Sequence, residues 1–483
     1  MTSRAAIVGS GPNGLAAAIT LARAGWRVDV YEANATPGGA VRSAALTLPG
    51  FIHDVGSAIH PLAVVSPFFR TLPLTRYGLD FVSSPAAVAH PLPGGAALLW
   101  RSVDETADGL GIDGPAYRRL LTPLVNRADA LFQETLKPLL RVPRHPLTLA
   151  RFGLRGLPPA ALLARTIFRG EAARALFAGL SAHAEVPLTQ PVTSAYGLML
   201  AVSAHVVGWP FPRGGAQAIT DAMLGYLEHL GGRVHMNHPV DRLGALEADV
   251  QLLDISPREF LRLAPQLPSS YTRQLRRFRY GAGTIKLDYA LSAAIPWRDP
   301  RTALAATVHL GGPLEAVVDS EAQSVSGLPA QPYVLLAQHT PFDPSRAPAG
   351  HHTAWLYVHV PGGYVPQPGD IDRIEAQIEA LAPGFRDVVL ARRVTSAADA
   401  ERLNRNLVGG DVGGGANTLA GTVIRPVMSA SPYRTPLPGV YLCSASTPPG
   451  GGVHGMAGHH AALTALSDHA TSRRRWGGGG GTI

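Results

Sequence analysis

The first thirty-two residues constrain the fold of this chain more than any other segment. Ala5 to Val8 is an apolar run without alternation, the pattern of a parallel strand buried on both faces. Gly9-Ser10-Gly11-Pro12-Asn13-Gly14 follows, and apolar residues then recur with helical spacing at Leu15, Ala18, Ile19 and Ala22. Gly25 closes that helix, Arg27 to Tyr31 reads as a second strand, and Glu32 stands at its end. Strand, glycine turn, helix, strand and acid describe a dinucleotide-binding unit of Rossmann type. Gly9 makes the tight turn, Gly11 lets backbone approach a pyrophosphate, and Gly14 lets helix pack against strand. The helix N-terminus offers free N–H groups to the phosphates. Glu32 accepts from ribose hydroxyls, and its charge repels a 2′-phosphate.

Composition narrows the rest. With 483 residues, 46% of them hydrophobic and 16% charged, the chain supports a large core and lacks the charge density of a disordered or nucleic-acid-wrapping protein. Lys plus Arg number 42 against 34 Asp plus Glu, a net charge of +8, but lysine occurs only at Lys137 and Lys286. The arginines are scattered apart from clusters at 141–169, 276–277 and 473–475, so no nucleic-acid partner is expected. An anionic membrane surface or a phosphorylated cofactor accounts for the bias better. The lone cysteine, Cys443, excludes an internal disulfide, a dithiol redox pair and a multi-thiolate metal site, and no metal is expected. No run reaches the roughly 18 apolar residues of a membrane span, the stretch 195–209 being interrupted by Ser203 and His205. These features place the chain in the cytoplasm, or peripherally on the inner face of the membrane.

Downstream of Glu32, Gly38-Gly39 and Arg42 complete an ExxxxxGGxxR string. The paired glycines allow a close backbone approach, and the arginine can neutralise a pyrophosphate. With this extension the sequence resembles the FAD-binding flavoenzymes of the amine oxidase and phytoene dehydrogenase superfamily, in which the motif marks FAD as resident cofactor. Asp54-Val55-Gly56-Ser57 with His60-Pro61 resembles the segment that lies along the flavin there. At the other end, the turn and strand 439–446 and the string from Pro448 to Gly458, leading into an alanine-rich helix, are similar to the phytoene desaturase-like family in particular. The resemblance covers nearly the whole chain, including the HVVGWPFPRGG link at 205–215 and the YGAGTIKLD segment at 280–288. That family often carries an acid where Ser444-Ala445-Ser446 stands here, so Ser446 is taken as the substitute ligand.

The expected fold is therefore α/β: a Rossmann-type FAD-binding domain interrupted by a mixed helical and antiparallel-sheet substrate domain. Residues 1–70, 211–283 and 408–472 are assigned to the discontinuous FAD-binding domain. Residues 71–210 and 284–407 are assigned to the substrate domain, the first stretch as helices and the second as strands without a long helix between them. Residues 473–483, with the glycine run 477–481, are assigned to a disordered tail. Between Leu136 and Arg169 leucines intermix with arginines and no acid, which suits either an interfacial surface on anionic lipid or a helical cap with a solvated arginine face.

The expected cofactor contacts are Gly9, Gly11, Gly14, Glu32, Gly38, Gly39, Arg42, Gly56, Ser57, Val240, Ser446, Gly452, Val453, Gly455 and Met456. Lys286 resembles the strand lysine of amine oxidases that holds a water at the flavin, and competes with a reading as an exposed lysine paired with Asp288. His454 is read as a flavin-edge residue, Lys286 and His454 together forming the catalytic pair. His205 and Trp209 either line the substrate path or brace the domain junction. The resemblance implies a FAD-dependent oxidoreductase, desaturase- or dehydrogenase-like, acting on a hydrophobic isoprenoid- or lipid-like small molecule. An amine-oxidase-type flavoenzyme stays open, although no aromatic pair for an amine stands out in the sequence. So does a flavoprotein with a mainly binding role.

Overall fold

A computed structural model describes residues 2–477, with side chains to Ser472. Along the chain run β1 (Arg4–Val8), α1 (Pro12–Arg23), β2 (Arg27–Tyr31), β3 (Ala86–His90) and β4 (Ala97–Trp100). Helices α2 (Pro146–Gly156), α3 (Ala160–Ile167), α4 (Glu171–Ala182), α5 (Thr193–Val207) and α6 (Gln217–His229) follow. Then come β5 (Arg233–His235), β6 (Val250–Leu253), β7 (Gly283–Leu291), β8 (Ala305–Leu310) and α7 (Leu314–Gln323). The last are β9 (Val334–Ala337), β10 (His352–Val360), α8 (Asp370–Leu381), β11 (Val389–Thr395), β12 (Val440–Leu442) and α9 (Met456–Gly477).

Two sheets organise the molecule. The first is five-stranded and parallel, in the order β12-β6-β1-β2-β5. Val28, Val30, Ile7, Leu252 and Leu442 on these strands are buried, as strands covered on both faces require. The second is seven-stranded, in the order β11-β7-β10-β9-β8-β3-β4. Its pairs are antiparallel except β8 with β3. The fold is α/β, a Rossmann-like unit joined to a mixed sheet domain.

Three sequence expectations change. The stretch 71–210 is not wholly helical: β3 and β4 lie within it and supply one edge of the larger sheet. β3 reads Ala-Ala-Val-Ala-His, and burial of all five residues erases the alternation that signals a strand. A ten-residue helix, α7, does separate β8 from β9, and Tyr333 behind it donates from its N–H to Ser320 Oγ at 2.7 Å. Finally, α9 continues through 473–477, so the helix consumes the start of the expected tail; residues 478–483 lie outside the described residues.

A buried polar clamp joins Asp54 and Pro212 to the turn at Asp343–Arg346 between β9 and β10. Arg346 Nη1 donates to Asp54 Oδ2 at 2.6 Å, Nε to Asp343 Oδ2 at 3.0 Å and Nη2 to the Pro212 carbonyl at 2.6 Å. Asp54 Oδ1 also accepts from Ser43 Oγ and the Ala216 N–H. Burial alone would raise the Asp54 carboxyl, but the Arg346 guanidinium holds it well below the usual carboxylate range. The aspartate of the D-x-G string is thus a junction residue, while Gly56 and Ser57 beyond it reach the site.

Candidate functional site

A cavity of about 1050 Å³ runs from the carboxyl ends of β1 and β2 into the space between the larger sheet and helices α2 and α5. That edge of a parallel sheet is where such folds bind ligands. At this end lie Gly9, Ser10, Gly11, Glu32, Gly39 and Arg42. Gly9 adopts φ +94° and Gly39 φ +59°, and a Cβ on Gly39 would approach the Gly11 Cα to 3.2 Å. The glycines therefore bring two loops into backbone contact. Glu32 Oε2 accepts from the Ser10 N–H at 3.0 Å and from its hydroxyl, and Oε1 accepts from the Asn34 N–H and amide at 2.9 Å. Arg42 Nε donates to the Gly39 carbonyl at 2.8 Å. Its two terminal nitrogens make no hydrogen bond among the described residues.

Asp254, the residue after β6, was passed over as a functional residue in the sequence. Its Oδ2 accepts the Gly14 N–H at 2.8 Å, and a Cβ on Gly11 would strike it at 2.6 Å. Burial, with the charge of Glu32 added, pushes it up to about 7 against the Gly14 hydrogen bond. Its position gave the signal: an acid closing a strand beside β1 falls on the ligand edge.

At the other end of the glycine region, Gly56, Ser57, Val240, Ser446, Gly452, Val453 and His454 line the cavity. His454 Nδ1 accepts the Met456 N–H at 3.1 Å, which leaves Nε2 as a buried donor without a partner. Burial lowers this imidazole to about 4, so it is neutral. His60 is likewise held near 4 by burial, with both ring nitrogens unpartnered.

Four residues expected at the cofactor do not reach the cavity wall. Gly14 packs α1 on the glycine turn, a Cβ there falling 2.1 Å from the Gly9 carbonyl oxygen. Gly38, at φ +112°, donates its N–H to Ser10 Oγ at 3.1 Å and shapes the loop from behind. Gly455 is wedged against Phe69 and Ala16, and Met456 caps α9 through His454.

The remainder of the cavity is a chamber walled by Leu149, Phe152, Met199, Leu200, Trp209 and Leu335. Lys286, Trp355 and Tyr357 enter from the sheet, Lys286 opposite Tyr357 in the β7–β10 register. Lys286 is buried rather than exposed, and its ammonium donates to the buried Asp288. Burial lowers the lysine, opposed by the Asp288 carboxylate. Trp355 and Tyr357 form an edge-to-face pair with centroids 5.3 Å apart. The sequence concealed this pair only by one intervening residue, since i and i+2 share a strand face.

Trp209 lines the chamber, but His205 does not. Its Nε2 meets the Tyr117 hydroxyl at 2.7 Å and its Nδ1 the Arg101 carbonyl at 3.1 Å, so it braces α5 against the segments at 101 and 117. Among the described residues no cluster of three or more metal-ligating side chains occurs.

The NAD(P)-binding Rossmann-like domain family matches residues 7–72. Pyridine nucleotide-disulfide oxidoreductase domain-containing protein 2 of Mus musculus is 28% identical over 96% of this chain and 93% of its own length. Phytoene dehydrogenase of Streptomyces griseus is 28% identical over 80% of this chain and 77% of its own. The chain is thus similar to the amine oxidase and phytoene desaturase superfamily. That likeness supports an oxidoreductase. The fold agrees: cyclohexylamine oxidase from Brevibacterium oxydans superposes with a TM-score of 0.59 at 16% identity, covering 97% of this chain and all of that one. The disulfide in the mouse relative's name has no counterpart here, because this chain has one cysteine, buried Cys443.

Proposed function

We propose that the chain binds FAD along the glycine end of the cavity and uses it to dehydrogenate a hydrophobic, isoprenoid- or lipid-like substrate held in the chamber. The observation that carries this reading is that one continuous cavity joins the dinucleotide edge of the parallel sheet to an apolar, aromatic chamber. The residues suit FAD: glycines at 9, 11, 39, 56 and 452 admit backbone contact, Arg42 brings a cation with free donors, and His454 Nε2 is an orphaned donor. Glu32 would take the ribose, Arg42 and the N-terminus of α1 the pyrophosphate, and Ser446 the ribityl chain. Bound FAD supplies a two-electron acceptor.

The protein's own groups orient the substrate and exclude water. Lys286, buried and salt-bridged to Asp288, holds a proton donor in the cavity wall. Phe152, Leu200 and Trp209 give the substrate an apolar wall.

Membrane contact supports delivery of such a substrate. Leu149, Phe152, Gly153 and Gly156 of α2 line the cavity, whereas Leu147 and Leu154 of the same helix are 75% and 77% exposed and nearby Val142 is 90% exposed. Arg141, Arg144, Arg151 and Arg155 accompany them. An exposed apolar ridge among arginines fits an anionic bilayer at the inner face of the membrane.

The Trp355–Tyr357 pair favours a second reading, oxidation of an amine. The test is purification followed by cofactor extraction and anaerobic bleaching of the flavin with isoprenoids, fatty acyl compounds, quinones and amines. Bleaching by an apolar compound supports the proposal, and bleaching by amines alone supports the second reading. A colourless protein, or one releasing NAD, overturns both.

A further inference from the structure

Four carboxyl groups line the cavity: Glu32, Glu185, Asp254 and Glu259. Glu32 and Asp254 are bonded within the dinucleotide end, and Glu259 Oε2 accepts from Arg262 at 2.9 Å. Glu185 alone accepts no hydrogen bond and joins no ion pair among the described residues. It sits between α4 and α5, with its N–H donating to the Ala182 carbonyl at 2.9 Å. Its φ is +58°, a left-handed conformation that a side chain other than glycine or asparagine adopts only when its surroundings impose it. Oε2 lies 3.4 Å from where a Cβ on Gly413 would stand, so the absence of a side chain there leaves room beside the carboxyl.

Two tyrosines, Tyr196 and Tyr357, lie within reach of its charge. Tyr357 is pushed up by burial and next by the Glu185 charge, and Tyr196, Trp209 and Trp355 share the same chamber. Burial pushes Glu185 itself up to about 7; His359 and Arg425 oppose that, and Asp411 and Glu321 reinforce it. A carboxyl enclosed without a partner is unfavourable, and a pure hydrocarbon in the chamber would seal it from the last water available to it. A ligand with a donor at one end would satisfy it.

We infer that Glu185 is the polar anchor of the chamber, selecting a long apolar ligand that carries one hydrogen-bond-donating end, a hydroxyl or a protonated amine. This rests on the reading of the chamber as the substrate site and deepens it by excluding unsubstituted hydrocarbon as the preferred ligand. The residue acts on selection, so binding tests it without turnover.

The probes are decane, decan-1-ol and decylamine, titrated into the full-length, flavin-loaded protein and followed by flavin absorbance and tryptophan emission. Donor-ended probes should bind at least ~10-fold more tightly than decane, the ratio expected when a buried charged acceptor gains a partner. Tighter binding of decylamine assigns an ammonium end; equal binding of decylamine and decan-1-ol assigns a hydroxyl. Glu185→Gln should remove most of the preference for decylamine, and Glu185→Leu should reverse it in favour of decane. Flavin content and melting temperature report the folding of each variant, and the isosteric Glu185→Gln carries the test should Glu185→Leu fold poorly. Equal binding of all three probes, unchanged in Glu185→Gln, overturns the anchor alone. No binding by any probe overturns both the anchor and the chamber reading.

Discussion

Gly458 in α9 and Asn13 in α1 illustrate how little room single residues have here. A Cβ on Gly458 would lie 1.8 Å from the Asn13 carbonyl oxygen, and backbone cannot yield as a side-chain end can. Gly458→Ala should therefore fail to give soluble flavoprotein. Gly153→Ala in α2, where nothing lies within 4 Å, should be neutral or gain up to ~1 kcal/mol of helix propensity. Expression and urea denaturation of the two variants compare them directly.

Asp254 makes a prediction with a definite sign. Raised to about 7, it ionises as pH climbs past neutrality and adds negative charge beside the phosphate-binding turn. FAD affinity should fall as pH rises from 6 to 8.5, and Asp254→Asn should flatten that dependence while still accepting from Gly14. A pH-independent wild-type affinity would sink the idea. At Lys286 the partner matters most: Lys286→Met leaves Asp288 buried and uncompensated, which should destabilise by ~3–5 kcal/mol. Lys286→Met with Asp288→Leu should recover much of that loss in the same unfolding assay.

At the level of elements, α2 is both a wall of the chamber and the carrier of two highly exposed leucines, Leu147 and Leu154. Leu147→Ser with Leu154→Ser should leave flavin content unchanged, since neither residue lines the cavity, yet reduce sedimentation with anionic vesicles. Unchanged sedimentation would return α2 to the role of a solvated cap. Elements with a clear period were legible: α1, α6 and α8 announce themselves by helical spacing, and β1 by the unbroken apolar run Ala5 to Val8 before its glycine turn. β3 and β11 were not. β3 is all buried, and β11, Val-Leu-Ala-Arg-Arg-Val-Thr, is a largely exposed edge strand whose arginines blur its alternation.

For the whole molecule, acid is the condition that discriminates. His60, His90, His205 and His454 are each lowered by burial to about 4 from an ordinary value near 6.5. The unfolded chain takes up protons first, so their contribution is complete above about 6.5 and is lost as pH falls toward 4, up to about 3 kcal/mol apiece. His359 runs the other way: burial lowers it, but the charge and hydrogen bond of Glu321 together with the Glu185 charge raise it overall. Melting temperature should drop steeply between pH 6.5 and 4.5; a flat profile would contradict the burial of these rings.

The sequence by itself determined the dinucleotide end, because contacts there are local: a glycine turn, the helix it opens and the acid closing the next strand lie within thirty-two residues. A spaced motif of that kind survives in one dimension. The chamber is assembled from α2, α5, β7 and β10, with lining residues spread from Leu149 to Tyr357, so only tertiary packing brought Glu185, Lys286 and the Trp355–Tyr357 pair to one cavity. The same packing turned His205 away from the cavity and set Asp254 under the glycine turn. Partners across a cavity are selected by shape and charge in space, and no periodicity along the chain records them.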